Sequence, residues 1–125
     1  MKYDVTIIGG GIIGLATAYK ILKINPALKL LILEKEPSYG MHQTGHNSGV
    51  IHSGLYYKPG SLKARNCRLG IKLLKIFCDE NHIKYEICGK LIIATKKSEI
   101  ENLKILFKRG ENNGIKGLKI ISASE

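Results

Sequence analysis

Three observations predict an α/β chain that begins with a βαβ unit. The run Val5-Thr6-Ile7-Ile8 is apolar and strand-like, and Leu30-Leu31-Ile32-Leu33 repeats the pattern. Between them lies G-x-G-x-x-G at Gly9, Gly11 and Gly14, opening a helix over residues 12–24. An acid, Glu34, closes the second strand 20 residues after Gly14. Together these define a Rossmann-like beginning, in which strand, glycine turn, helix and parallel strand follow in order.

The first strand is expected at 4–8 and buried. Gly9 permits the tight turn out of it. Gly11 removes a side chain where a pyrophosphate must touch backbone. Gly14 lets the helix lie close on the sheet. Ala18, four residues on, is small and on the same helix face. The helix N-terminus offers free N–H groups and a positive dipole end to phosphate. Asn25-Pro26 ends the helix. Glu34 can accept hydrogen bonds from both ribose hydroxyls of an adenosine and would repel a 2′-phosphate. NADP is therefore disfavoured, and NAD and FAD both stay open at this point.

Residues 40–66 form a long stretch rich in Gly, Ser and His. A plain NAD domain would have a short loop and another helix there, and long loops inside compact domains are usually functional or disordered. His42 and His46 have i, i+4 spacing, but Gly40, Gly45 and Gly49 argue against a helix, so no metal site is expected. Ser61 is a plausible N-cap for a helix reaching Asn81, with Leu62, Leu69, Leu73, Ile76 and Phe77 inward. Tyr85 to Thr95 is expected as two strands about Gly89-Lys90. Ser98-x-x-Glu101 has the spacing of a capping box for a helix with Ile100, Leu103, Leu106 and Phe107 on one face. Asn113-Gly114 suits its left-handed C-terminal cap, and Gly117 to Ile121 is expected as a last strand. Ser122-x-x-Glu125 is itself a helix-start signature.

Composition narrows the function classes. With 125 residues, 44% hydrophobic, the chain can bury a core. The net charge is +10, but the lysines are scattered, with no arginine cluster and no interleaved aromatic platform. Nucleic acid is not an expected partner, while a weak pull on acidic substrates or anionic lipid stays open. The cysteines at 67, 78 and 88 form no C-x-x-C pair and are expected to be reduced thiols. No apolar run reaches about 18 residues, and the N-terminus lacks signal-peptide order. A cytoplasmic location is expected, with peripheral contact at the inner membrane left open.

The fingerprint, with Gly14-x-x-x-Ala18 and Glu34-Lys35, resembles FAD-dependent oxidoreductases of the D-amino-acid oxidase and glycerol-3-phosphate dehydrogenase superfamily. The stretch HNSGVIHSGLYYKPGSLKARNCRLG, His46 to Gly70, and CGKLIIAT, Cys88 to Thr95, resemble the L-2-hydroxyglutarate dehydrogenase/oxidase branch. The resemblance implies FAD as cofactor and a small 2-hydroxy acid as substrate. It implies that Gly9, Gly11 and Gly14 hold the pyrophosphate, that Glu34 holds the ribose, and that Lys35 lies near the adenine. Thr44, Asn47, Ser48 and Gly49 would line the path to the flavin, and Ile51, His52, Ser53 and Gly54 would pass its ring. His52 is the local candidate for the base that takes the hydroxyl proton, since imidazole titrates near neutral pH. A positioning or flavin-tuning role for His52, and a structural one, stay open beside it.

The same resemblance divides the chain into a βαβ fingerprint at 1–35, a flavin-contacting loop at 36–60 and a helix and strand scaffold at 61–125. All three belong to the N-terminal portion of an FAD-binding domain. Family members are longer, so the substrate domain is expected on a missing C-terminal portion or companion chain. Contact with a quinone acceptor stays open. Related amine or glycerol-3-phosphate oxidising enzymes, and a non-catalytic FAD-binding fragment, are the alternatives.

Overall fold

The computed structural model describes residues 2–122, which divide into two units at Gly49 and Val50. In the first unit, β1 (Val5–Ile8) and β2 (Leu30–Leu33) form a parallel pair joined by α1 (Ile12–Ile24). The register pairs Val5 with Leu30 and Ile8 with Leu33. Asp4 extends the ladder: its N–H donates to the Lys29 carbonyl at 2.8 Å, and its carboxylate accepts from the Lys29 N–H at 2.8 Å. Ala18 of α1 is buried, as a small residue packed close on a sheet should be.

Both strands and α1 stand where the sequence puts them, but the strands are not buried. Val5 and Ile7 are half-buried, whereas Thr6 and Ile8 are exposed, Ile8 at 88%. Two strands and one helix offer too few neighbours to cover both faces of a parallel pair.

The second unit holds α2 (Leu62–Glu80) and α3 (Ile100–Asn112), the latter preceded by a 3-10 turn at Lys97–Glu99. Ser61 caps α2, its Oγ accepting from the Ala64 N–H at 3.2 Å. α2 ends through His82, whose φ is +55°, with the Ile83 N–H donating to the Cys78 carbonyl at 2.8 Å. α3 ends as its Asn-Gly pair predicts. Gly114 has φ +70°, and the Ile115 N–H donates to the Gly110 carbonyl at 3.0 Å, closing the last turn.

Four expectations for this unit need correction. Leu62, Leu69, Leu73 and Ile76 are exposed on α2, and the residues α2 buries are Ala64 and Cys78. Residues 85–95 form no strands: Gly89 turns the chain at φ +78°, but its arms do not pair, and Ile87, Leu91 and Ile93 stay exposed. A hairpin needs a covered face to be stable, and of these arms only Ile92 and Ala94 are even half-buried. Residues 117–121 are likewise not a strand, Gly117 having φ +77°.

The 3-10 turn that leads into α3 is held at its start by Glu99, in place of a box made by Ser98 and Glu101. The Glu99 carboxylate accepts from the Thr95 and Lys96 N–H groups at 2.8 and 3.2 Å and from the Thr95 hydroxyl at 3.1 Å. Two amides and a hydroxyl outcompete the box geometry of Ser98 and Glu101. The helix-start signature at residues 122–125 runs outside the described residues.

Candidate nucleotide site in the first unit

The glycine turn is built by backbone requirements. Gly9 leaves β1 with φ +102°, a conformation side chains disfavour, and its N–H donates to the Leu33 carbonyl at 2.7 Å. A Cβ on Gly14 would collide with the Gly9 carbonyl oxygen, so only glycine allows α1 to start this close to the strand.

Glu34 clasps this turn. Its Oε2 accepts the Gly10 N–H at 2.6 Å, and its Oε1 accepts the Glu36 N–H at 3.0 Å. Those amides, Glu36 first and Gly10 next, hold its carboxyl below the usual carboxylate range. Partial burial opposes them, and the Lys35 N–H and His42 add smaller effects in the same downward direction. An ionised carboxylate has about four lone-pair sites, so two amide bonds leave capacity for a ribose hydroxyl.

The N-terminus of α1 receives no cap from its own Gly11. Thr44 supplies one from 32 residues away, its Oγ1 accepting the Ile12 N–H at 2.9 Å. Asn47 ties the loop that carries Thr44. Its Nδ2 donates to the Thr44 carbonyl at 2.6 Å, and its Oδ1 accepts from the Gly49 N–H at 2.7 Å, with Gly49 at φ +64°. The N–H groups of Ile13 and Gly14 have no acceptor among the described residues and stay available to an anion.

A cavity of about 390 Å³ opens beside the turn, with Gly9, Gly11, Glu34, Lys35, His42 and Thr44 among its walls, and a second pocket that shares Gly9, Gly11 and Thr44 is lined by Ile13 and Gly14. That volume lies within the range of small-ligand sites. Glu36 braces the outer wall, accepting from His42 Nε2 at 2.8 Å and pairing with Lys35 Nζ at 3.6 Å. The residues fit the adenosine and pyrophosphate half of a dinucleotide: a turn free of side chains, helix N–H groups, and an acid at its lip.

The FAD dependent oxidoreductase family matches residues 4–125. The chain belongs to that family. Among this flavoprotein family's members, the chain is 57% identical over 123 residues to the mitochondrial L-2-hydroxyglutarate dehydrogenase of Dictyostelium discoideum, covering 98% of this chain and 28% of that one. It is 54% identical over 125 residues to the L-2-hydroxyglutarate dehydrogenase of Indibacter alkaliphilus, covering 100% and 31%. The FAD-bound L-alpha-glycerophosphate oxidase of Mycoplasma pneumoniae superposes with a TM-score of 0.73 at 33% identity, over 96% of this chain and 30% of that one. The chain thus spans less than a third of the length of these relatives. No helix among the described residues is long and apolar enough to cross a membrane.

The sequence-predicted residues fall in both units. Gly9, Gly11, Gly14, Glu34, Lys35 and Thr44 come together around the turn and its cavities, whereas Asn47, Ser48 and Gly49 lie in the exposed loop that follows. Ile51 and His52 belong to the second unit, where the His52 side chain is exposed and its carbonyl accepts from the Cys67 thiol at 3.1 Å. Gly10, Glu36 and His42 were not anticipated. The clasp on Gly10 was legible in principle, because an acid at the end of β2 faces the turn after β1.

Proposed function

We propose that this chain supplies the dinucleotide-binding portion of an FAD-dependent oxidase or dehydrogenase that converts L-2-hydroxyglutarate to 2-oxoglutarate. The carrying observation is the cavity lined by Gly9, Gly11 and Glu34, beside a second pocket that shares both glycines and is lined by Ile13 and Gly14 at the start of α1. Identities of 54–57% to L-2-hydroxyglutarate dehydrogenases support the substrate.

Gly9, Gly11 and Gly14 hold the pyrophosphate at backbone distance, Glu34 accepts from the ribose, and Lys35 lies beside the adenine. Thr44, Asn47, Ser48 and Gly49 lead towards the flavin, and Ile51 and His52 are its neighbours by the same resemblance. Bound flavin supplies the two-electron acceptor for the carbinol carbon. His52 takes the hydroxyl proton. A companion portion supplies the substrate walls, and a peripheral contact with an anionic membrane or a quinone belongs to this reading, as does a cytoplasmic location.

The likeness to the glycerophosphate oxidase favours a second reading, oxidation of glycerol 3-phosphate. Anaerobic mixing separates the two. The protein completed by its companion portion and loaded with FAD should bleach with L-2-hydroxyglutarate and stay yellow with glycerol 3-phosphate. The opposite pattern overturns the first reading, and bleaching by neither acid leaves a nucleotide-binding protein without this chemistry.

A further inference from the structure

One turn in the second unit is held far more firmly than its length requires. Gly54 and Leu55 are buried, and the Tyr57 N–H closes the turn on the Gly54 carbonyl at 3.2 Å. Side chains at the end of α3 then take three of its carbonyls. Asn113 Nδ2 donates to Gly54 at 3.1 Å and to Tyr57 at 2.9 Å, and Arg109 Nη1 donates to Tyr56 at 3.2 Å. Gly110, on the same helix turn, leaves the space that Leu55 fills: a Cβ there would stand 2.7 Å from Leu55 Cδ1.

α2 holds the other side. The Cys67 thiol donates to the His52 carbonyl, and Gly54, at φ +87°, could not carry a Cβ without crowding Cys67 Sγ at 3.3 Å. The His52 ring itself is exposed. The His52 carbonyl and the backbone that follows it are therefore held while the imidazole is left free to face a ligand.

We propose that Asn113 is a positioning residue, its amide fixing the Gly54–Tyr57 turn and through it the direction in which Ile51 and His52 face the flavin; this rests on the functional reading above. A side-chain amide with two N–H donors is suited to the task. It spans both ends of one turn, and neither carbonyl can be satisfied by α3 backbone. Arg109 secures the middle of the turn and is secondary, because it takes one carbonyl from a long side chain.

The test compares the protein completed by its companion portion and loaded with FAD with the same protein carrying Asn113→Asp, which keeps the shape and loses both donors, or Arg109→Met. Amide exchange over residues 52–57, the flavin midpoint potential, and kcat and KM with L-2-hydroxyglutarate are measured. In Asn113→Asp, exchange in the turn should rise while exchange over residues 5–33 is unchanged. The potential should shift with FAD retained, and kcat should fall about 10- to 100-fold with little change in KM, as for a displaced reacting group. Arg109→Met should move the same quantities less.

Unchanged exchange in the turn overturns the proposal. So does increased exchange with potential and kcat at wild-type values, which would make the clamp merely structural. Should the wild-type flavin resist reduction by L-2-hydroxyglutarate, the functional reading falls, while exchange and potential still decide the role of Asn113. If Asn113→Asp does not fold, Arg109→Met decides by the same criteria.

Discussion

Glu34 holds Gly10 across 24 residues, carboxylate oxygen to backbone N–H at 2.6 Å. The carboxylate therefore shapes the turn before any nucleotide arrives. Glu34→Arg removes the acceptor and adds a charge of the wrong sign beside the Gly10 N–H. FAD affinity should fall about 10- to 100-fold, the range set by losing a charge-assisted hydrogen bond. Equal flavin retention after gel filtration would remove Glu34 from the site. Glu34→Gln should keep part of the clasp and bind between the two.

The same clasp sets a pH response. The carboxyl of Glu34 titrates below its ordinary value because its charged form accepts amide hydrogen bonds. Its contribution to stability is thus fully present above the unfolded-state value and is lost as pH falls through the lower folded value. The protection factors of the Gly10 and Glu36 amides should be high at neutral pH and fall in this acid window. In Glu34→Gln that fall should be absent. An identical acid response in the variant would place the titration elsewhere.

Two glycine-to-alanine changes should act with opposite sign. Gly14→Ala forces a Cβ against the Gly9 carbonyl, backbone against backbone, which no rotamer relieves. It should destabilise the first unit by about 1–3 kcal/mol. Gly70→Ala lies inside α2 with nothing within 4 Å of the added Cβ. It should stabilise by about 0.5–1 kcal/mol, since glycine is the poorer helix former. Thermal or denaturant unfolding checks both, and Gly14→Ala at wild-type stability would show that the turn is not as tight as described.

His52→Ala tests the proposed base. Flavin should stay bound, and its reduction by L-2-hydroxyglutarate should slow about 10²- to 10⁴-fold, the usual weight of general-base catalysis. Reduction at the wild-type rate would show that another group takes the proton.

What the sequence made legible was local. β1, α1 and β2 follow from apolar runs bounded by glycine and by Asn25-Pro26. Ser61 and Asn113-Gly114 mark helix ends through chemistry confined to one turn. The misread parts depend on partners far along the chain. Residues 85–95 have a strand-like composition, yet strands need an edge to pair with, and composition does not say where that edge is. Thr44 capping α1 from 32 residues away has no spacing rule that reveals it. Nor does the left-handed end of α2 at His82, where no glycine announces the turn. In the candidate site the glycines and the acid were readable from their motif, whereas Gly10 and Glu36 entered only through the hydrogen bonds Glu34 makes.

The bonds that shape the nucleotide turn have a consequence for the order of events during synthesis. Gly9 finds its acceptor at Leu33, Gly10 at Glu34 and Ile12 at Thr44, all within the first unit. At about 5–20 residues per second, a ribosome adds the stretch from Asp4 to Thr44 in a few seconds. Nothing made later is needed to close those three bonds. The glycine turn can thus take shape while α2 and α3 are still being translated, and a nascent chain stalled after the first unit has emerged should already protect the Gly10 amide.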